Sequence, residues 1–332
     1  MPGTRVTIRD VASAAGVHAS TVSRILRGTS SRPGPTRDRV LRVAQELGYQ
    51  PNLLARALTE QRAPIVPLLI PDVANAFFPE LALGAEEAAR RAGYALLLCN
   101  TESEANLERQ YLESLVPLQV PFVVVVPNSE TSADTLREFS ARCPIVIVDR
   151  LLDGLDLPSV SVDNQLGGRL ATEHLLDLGH THIACIAGPQ DASTAKDRLH
   201  GYALAMEERS LETTVIRGGF TTADGTRAAQ AFLRLRSRPT AVTAPNDLAA
   251  LAFIRGLETH GVRVPADVSV VGFDDLVFAA YSRPALTTIH QPARRMGATA
   301  IAVALSPGAD GRLAHIRLRP RLVVRESTRA VG

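Results

Sequence analysis

Residues 6–26 read VTIRDVASAAGVHASTVSRIL. Ile8, Val11, Ala12 and Ala15 recur at helical spacing until Gly16 interrupts them, and Val17, Val22, Ile25 and Leu26 then form a second apolar face. Only Ala15-Gly16-Val17 separates the two patterns. Such a connection is too tight for antiparallel packing and suits the sharp angle of a helix-turn-helix, where glycine tolerates the turn. Val40, Val43, Ala44 and Leu47 give a third apolar face, closed by Gly48.

Charge supports a separate head. The 332 residues carry a net charge of +2, which hides a split: residues 1–62 hold ten arginines against four acids, +6, leaving −4 for residues 63–332. A small basic head on a mildly acidic body is the asymmetry expected when one end meets a polyanion. The length suffices for two or three domains with sizeable cores. At 45% hydrophobic and 21% charged the composition is that of a soluble globular protein. No apolar run approaches the roughly 18 residues of a membrane span, and MPGTRVTIRDVA lacks the apolar stretch of a signal peptide, so the expected location is cytoplasmic with no membrane partner. Cys99, Cys143 and Cys185 show no CxxC spacing and are expected as buried small residues, not as a disulfide framework or zinc site.

From Ala63 onward apolar strands alternate with helices. Strands are expected at 65–70, 94–99, 122–126 and 145–148, with helices over about 78–92, 106–115 and 132–141. The alternation restarts with helix 165–178, strand 183–186, helix 195–208, strand 214–216, helix 224–235, strand 241–243, helix 248–259 and strand 268–271. Nearly continuous Val/Ile/Leu strands joined by helices mean buried parallel sheets. A tail helix over about 292–305 and strand-like pieces at 314–318 and 322–324 extend both sheets and cross back between them.

The expected fold is an all-α helix-turn-helix headpiece plus an α/β core of two doubly wound parallel-sheet subdomains. The headpiece takes residues 1–50, a hinge segment 51–62 and the core 63–332; the core divides into an N-subdomain, about 63–161 plus 292–319, and a C-subdomain, about 162–291 plus 320–329. Ligand sites in such units lie at the carboxyl ends of the strands, facing the cleft between them. In the hinge segment Asn52 can cap a short helix, but about seven residues fall below the ~12–15 that an isolated helix needs, so it is helical only when something docks against it.

VTIRDVASAAGVHASTVSRIL, followed by TRDRVLRVAQELGYQPNLLARAL, resembles the DNA-binding headpiece of the lactose-repressor (LacI/GalR) family. The body agrees through LIPDVANAFFPEL, VDNQLGGRLATEHLLDLGHTHIACIAGP, RPTAVTAPNDLAAL, GVRVPADVSVVGFDD, LTTIHQPARRMG and PRLVVRESTR, in family order over nearly the whole chain. The resemblance implies a homodimeric transcription regulator, most simply a repressor on a palindromic operator. Its core would be like that of periplasmic sugar-binding proteins, with an effector between the lobes. Two departures bear on structure. Val66-Pro67 stands where the family has Ile-Gly, and a proline without a ladder donor suggests an edge or first-residue position. Arg32-Pro33-Gly34-Pro35 replaces the serine that caps the third helix, leaving Thr36 as the expected cap.

Val22, Ile25 and Leu26 face the head's interior, which leaves Ala19, Ser20, Ser23, Arg24 and Arg27 outward on the second helix. Outward residues near the start of such a helix read base edges in the major groove. Arg24 can fork onto the O6 and N7 of guanine, or clamp a phosphate. Ala19 and Ser20 match the family's specificity pair, and both are small. Thr7, Thr21, Thr36 and Asn52 suit phosphate oxygens, and the resemblance adds His18 and Ala55 to the DNA contacts. Leu58 resembles the family's wedge leucine, which enters the minor groove, although packing on the core is the other reading of such a residue.

In the body, polar residues follow strands where an α/β cleft opens: Asp72, Asn75, Asp149-Arg150, Asn246-Asp247 and Asp274-Asp275. Carboxylates and amides with an arginine fork fit a polyhydroxy ligand, whose hydroxyls both donate and accept. Arg198, Asn246 and Asp274 resemble the family's ligand-hydroxyl binders, joined by Asp149 and Thr194; Phe77 or Phe78 and Phe220 resemble its aromatic walls. For the phenylalanines core packing is an equal alternative, and Asp247 and Asp275 are expected to bond backbone or neighbours. Ala192 stands where purine-responsive relatives carry arginine, which favours a sugar or sugar derivative as effector. No catalytic residue, metal or cofactor is expected: there is no GxxxxGK[ST] loop, Gly167-Gly168 lacks dinucleotide spacing, and His180 and His182 have no third ligand. A solute receptor for a transporter or an α/β sugar-processing enzyme would share the body, but the basic head and the missing phosphate loops argue against them.

Overall fold

A computed structural model of the chain describes residues 6–26, 34–49, 63–128, 131–306 and 314–331. They fall into two compact units, Met1–Pro64 and Ile65–Gly332.

In the first unit α1 (Ile8–Ala14), α2 (Ala19–Leu26) and α3 (Pro35–Glu46) close over Val11, Ala12, Ala15, Val22, Ile25, Val40 and Ala44. Thr7 starts α1 through a reciprocal capping box: the Asp10 N–H donates to the Thr7 hydroxyl oxygen, while the Thr7 N–H donates to Asp10 Oδ2 at 2.7 Å. The third helix departs from expectation. Gly34, not Thr36, is its N-cap, with no side-chain cap bond. Pro35 opens the helix because its fixed φ and missing N–H are both tolerated at the first helical position, and Thr36 sits exposed within the first turn.

The second unit contains two six-stranded sheets. The first has the order β11-β5-β4-β3-β1-β2, built from β1 (Ile65–Ile70), β2 (Ala95–Asn100), β3 (Val123–Val125), β4 (Ile145–Val148), β5 (Ser159–Val162) and β11 (His315–Leu318), all parallel. The second has the order β12-β10-β9-β8-β6-β7, from β6 (Ile183–Ala187), β7 (Thr214–Arg217), β8 (Ala241–Thr243), β9 (Ser269–Asp274), β10 (Thr287–His290) and β12 (Arg321–Val323). Only β12 of these runs antiparallel to its neighbour. The chain passes between the sheets after β5, after β10 and after β11. The tail pieces thus extend both sheets, as their pattern implied.

Helices α4 (Phe77–Arg91), α5 (Ala105–Leu115), α6 (Ala133–Ser140) and α11 (Ala293–Leu305) belong to the first lobe, and α7 (Asn164–Asp177), α8 (Ser193–Glu208), α9 (Thr222–Leu233) and α10 (Asp247–Glu258) to the second. Helix pairs in both lobes cross at backbone contact. A Cβ on Gly84 would lie 1.9 Å from the Arg294 carbonyl oxygen in the α4–α11 pair, and one on Gly168 would lie 2.1 Å from the Arg198 carbonyl oxygen in the α7–α8 pair. Glycine is required there because the backbones leave no room for a side chain.

Pro67 is neither on an edge strand nor at a strand start: β1 is interior to its sheet. The Val126 N–H donates to Leu69 O, so Leu69 and, two residues back, Pro67 face β3. Pairing with β3 begins at Leu68 opposite Val124, so the donor that proline lacks would point at chain not yet in the ladder. The outer strand β2 is half-open to solvent, with Leu97 and Leu98 exposed. Cys99, Cys143 and Cys185 are free and buried.

Candidate functional site

On the headpiece, His18, Ser20 and Arg24 are exposed, and Thr21 and Ser23 are half-buried. The His18 carbonyl accepts the N–H of Thr21 at 2.8 Å, His18 Nδ1 bonds the Ser20 hydroxyl at 3.0 Å, and Arg24 Nε reaches the Ser20 carbonyl at 3.4 Å. These contacts gather the polar side chains at the start and outer face of α2. Ala19 is less outward than its position implied: it is half-buried and packs against the three-helix core. The Thr7 hydroxyl donates to Asp10 Oδ2 at 2.7 Å. Those bonds hold the exposed Asp10 carboxyl below its usual range. Asn52, Ala55 and Leu58 lie outside the described residues.

In the second unit the strand ends converge on a cleft lined by Asn75, Phe77, Phe78, Asp149, Arg150, Thr194, Arg198, Phe220, Asn246, Asp274 and Gln291. Every residue expected at the effector site is among them. A wider opening shares Phe77, Asp274 and Gln291 with it.

The fold positions each side chain by local means. Asp149 follows β4 at φ 67° and Asp274 ends β9 at φ 115°. Left-handed backbone is strained for a non-glycine residue and collects at binding sites. Asn246 caps α10: its Oδ1 accepts the Ala249 N–H at 2.9 Å and its Nδ2 donates to Phe220 O at 3.0 Å, so the amide also fixes the loop that carries Phe220. Arg198, in the second turn of α8, donates from Nε to Asn164 Oδ1 at 2.9 Å and from Nη1 to Pro245 O at 2.5 Å. Its guanidinium lies 3.6 Å from the Phe273 ring centroid and 5.9 Å from that of Phe220. Phe77 and Phe78 meet edge to face at 5.2 Å and belong to the first lobe's core while also lining the cleft.

Burial dominates the electrostatics. It pushes Asp274 up to about 7, against the pull of Arg198 and the Gln291 hydrogen bond. Asp149 is raised by burial and held back by Arg150 and Arg198; both guanidiniums are themselves lowered by desolvation. Asp247 accepts the Leu276 N–H and the Thr288 hydroxyl, and Asp275 pairs with His290 and Arg325, so both serve structure as expected. Three cleft atoms are buried with no hydrogen-bond partner among the described residues: Asp149 Oδ1, Arg150 Nε and Gln291 Oε1. Buried polar groups are nearly always satisfied, so three orphans around one opening mark a place built for a hydrogen-bonding occupant.

Gln291 and Asn164 escaped sequence reasoning. Gln291 Nε2 donates to Asp274 Oδ1 at 2.6 Å, and Asn164 holds Arg198; each sits where the chain crosses between sheets, a position visible only once both sheets are known. His180 is a satisfied interior histidine, bonded to Thr240, Ser269 and Arg329 O, and burial lowers it toward the neutral form.

Residues 7–52 match the lacI family of bacterial regulatory proteins, and residues 172–328 match a periplasmic binding protein-like domain. The HTH-type transcriptional repressor PurR of Photobacterium profundum is 36% identical over 332 residues, which span 97% of this chain and 98% of PurR. The chain belongs to the LacI family. Among solved LacI-family structures, the lac repressor dimer bound to operator and the anti-inducer ONPF is 27% identical, with a TM-score of 0.82 over 98% of this chain and 100% of that one. The transcriptional regulator CelR in complex with cellobiose is 32% identical, with a TM-score of 0.73 over 97% of this chain and 100% of its own. LacI-family membership makes this chain a transcriptional regulator with a DNA-binding helix-turn-helix, and not an enzyme. Among the described residues, no helix is long and apolar enough to cross a membrane.

Proposed function

We propose that the protein is a homodimeric repressor whose affinity for a palindromic operator is set by a sugar or sugar derivative held between the two lobes of its core. The observation that carries this reading is the set of orphaned buried atoms on Asp149, Arg150 and Gln291 around one cleft. Arg198, Asn246, Asp274 and Thr194 complete the polar lining, and Phe220 with Phe77 or Phe78 provides faces for a sugar ring. The CelR relative, whose structure is a complex with cellobiose, supports a sugar. Ala192, at the start of α8 and 2% exposed, stands where purine-responsive relatives carry arginine and offers such a base no charged partner.

On DNA, His18, Ala19, Ser20, Thr21, Ser23 and Arg24 would meet the major groove, Thr7 and Thr36 the phosphates, and Asn52, Ala55 and Leu58 the centre of the operator. Residues 52–58 would couple the parts: a segment of about seven residues, too short to be helical alone, would fold only when its dimer mate and DNA support it, and a change of lobe angle would alter that support. A gel shift on the DNA upstream of the protein's own gene, with and without monosaccharides and purines, tests the reading. A sequence-specific complex that a sugar dissolves or tightens is the expected result; no specific complex would refute it.

A further inference from the structure

Strand β4 ends in a turn that reaches across to the second lobe. Asp149 stands at φ 67°, and the Arg150 N–H donates to Val148 O, two residues back, at 2.9 Å. This is a γ-turn of the strained hand, rare because it puts a side chain on left-handed backbone. The turn is pinned on both sides. In its own lobe the Asp149 N–H donates to Val160 O at 2.9 Å, and across the cleft the Leu151 N–H donates to Ser193 Oγ, at the start of α8, at 3.0 Å. Between these pins Arg150 extends toward the second lobe, its guanidinium 5.9 Å from the Phe220 ring centroid.

Among the described residues, Leu151 to Ser193 is the one hydrogen bond that joins the lobes away from the segments where the chain crosses between the sheets. It lies at the rim of the cleft: Arg150 and Thr194 line the opening, and their chain neighbours Leu151 and Ser193 meet beside them. Leu151 is 37% exposed, so water competes for its N–H and the bond can open. A hydroxyl at a helix start ordinarily caps its own first turn. Ala192 is the N-cap of α8 and no side chain caps that end, so the Ser193 hydroxyl serves the other lobe and not its own helix.

We propose that Ser193 is a latch: by accepting the Leu151 N–H across the rim, its hydroxyl keeps the lobes closed and holds the turn at Asp149 in its strained form. When the bond breaks, Asp149 can leave the left-handed region, and its carboxylate and the Arg150 guanidinium swing out of the cleft wall together. Opening the mouth therefore dismantles one wall of the cleft, and closing it rebuilds that wall. The latch acts in the ligand-free protein and stands apart from what the cleft binds.

Distances between spin labels on the two lobes test the latch in the full-length protein without ligand. Cys99, Cys143 and Cys185 are buried, so Glu138→Cys in α6 and Lys196→Cys in α8, both at exposed positions, supply the labelled sites. An excess of unlabelled chain restricts the measurement to pairs within one subunit. One hydrogen bond made in competition with water shifts an equilibrium by about 2- to 13-fold. Ser193→Ala should raise the ratio of open, longer distances to closed ones by about that factor, and Ser193→Thr, which keeps a hydroxyl, should hold the wild-type ratio. A distribution in Ser193→Ala that matches wild type, or one in Ser193→Thr that matches Ser193→Ala, overturns the latch; either result leaves the effector reading standing.

Discussion

Arg198 Nη1 lies 3.9 Å from Asp274 Oδ1, too far for a hydrogen bond, although both side chains are buried. The gap is enforced from the other side, where Asn164 Oδ1 and Pro245 O hold the guanidinium and the Phe273 ring covers its face. Held by three neighbours and not by the carboxylate, the arginine is fixed before any ligand arrives.

Arg198→Ala should therefore abolish effector binding while operator affinity without effector stays largely intact. Losing one member of a buried charge set costs about 3–5 kcal/mol. Arg198→Lys should not rescue it, because an ammonium cannot bond Asn164 and Pro245 in the same plane. Calorimetry with the identified effector checks both variants; near-normal affinity in either would remove Arg198 from the site.

Asp274 predicts a pH dependence. Its carboxyl stands near 7 in the folded protein against 3.8 in the unfolded chain. Between those values the folded state binds the extra proton, so the stability tied to the neutral form is full below about 3.8 and is lost as pH rises through about 7. Asp274→Asn should gain on wild type as pH rises from 5 to 8, by a few degrees in Tm. Thermal melts across that range decide it, and a difference independent of pH would show that Asp274 does not titrate there.

The α7–α8 crossing ties packing to function. Gly168→Ala would place a methyl 2.1 Å from the Arg198 carbonyl oxygen, so the helices must part. Overpacking of this kind costs about 1–3 kcal/mol, and effector affinity should fall with it because Arg198 moves. Urea unfolding together with sugar titration would reveal both losses; unchanged stability would contradict the close contact.

On the headpiece, Arg24→Ala should relax the preference for a G·C pair in each half-site, worth about 1–3 kcal/mol of discrimination, as well as weakening binding. Selection from random DNA separates the two possible contacts of Arg24, since an unchanged consensus with uniformly weaker binding would make it a phosphate clamp.

The strands that form the centres of both sheets were readable because parallel sheets covered on both sides demand unbroken Val, Ile and Leu. Two strands escaped that signal. Ser159–Val162 and Thr287–His290 carry hydroxyls into the interior, where Ser159 bonds His315 and Thr288 bonds Asp247, so polarity there is satisfied and not solvated. Asn246 and Asp274 were legible as polar residues at strand ends and Arg198 only through the family resemblance, but Gln291 is an ordinary polar residue until the chain's second passage between the sheets brings it to Asp274. The Thr36 cap failed for a local reason: Pro35 at the first helical position left the cap to Gly34.

The central claim is that occupancy of the cleft sets operator affinity. It is tested most directly by titrating labelled operator DNA with the dimer, in the absence of sugar and at a sugar concentration that calorimetry shows to be saturating. A ligand moves this equilibrium only through its differential affinity for the two lobe arrangements, and couplings of this kind run about 5–150-fold. The account predicts a shift of at least about tenfold in operator Kd for wild type and none for Arg198→Ala. An operator Kd unchanged at saturating sugar, or a shift that survives in Arg198→Ala, would contradict it.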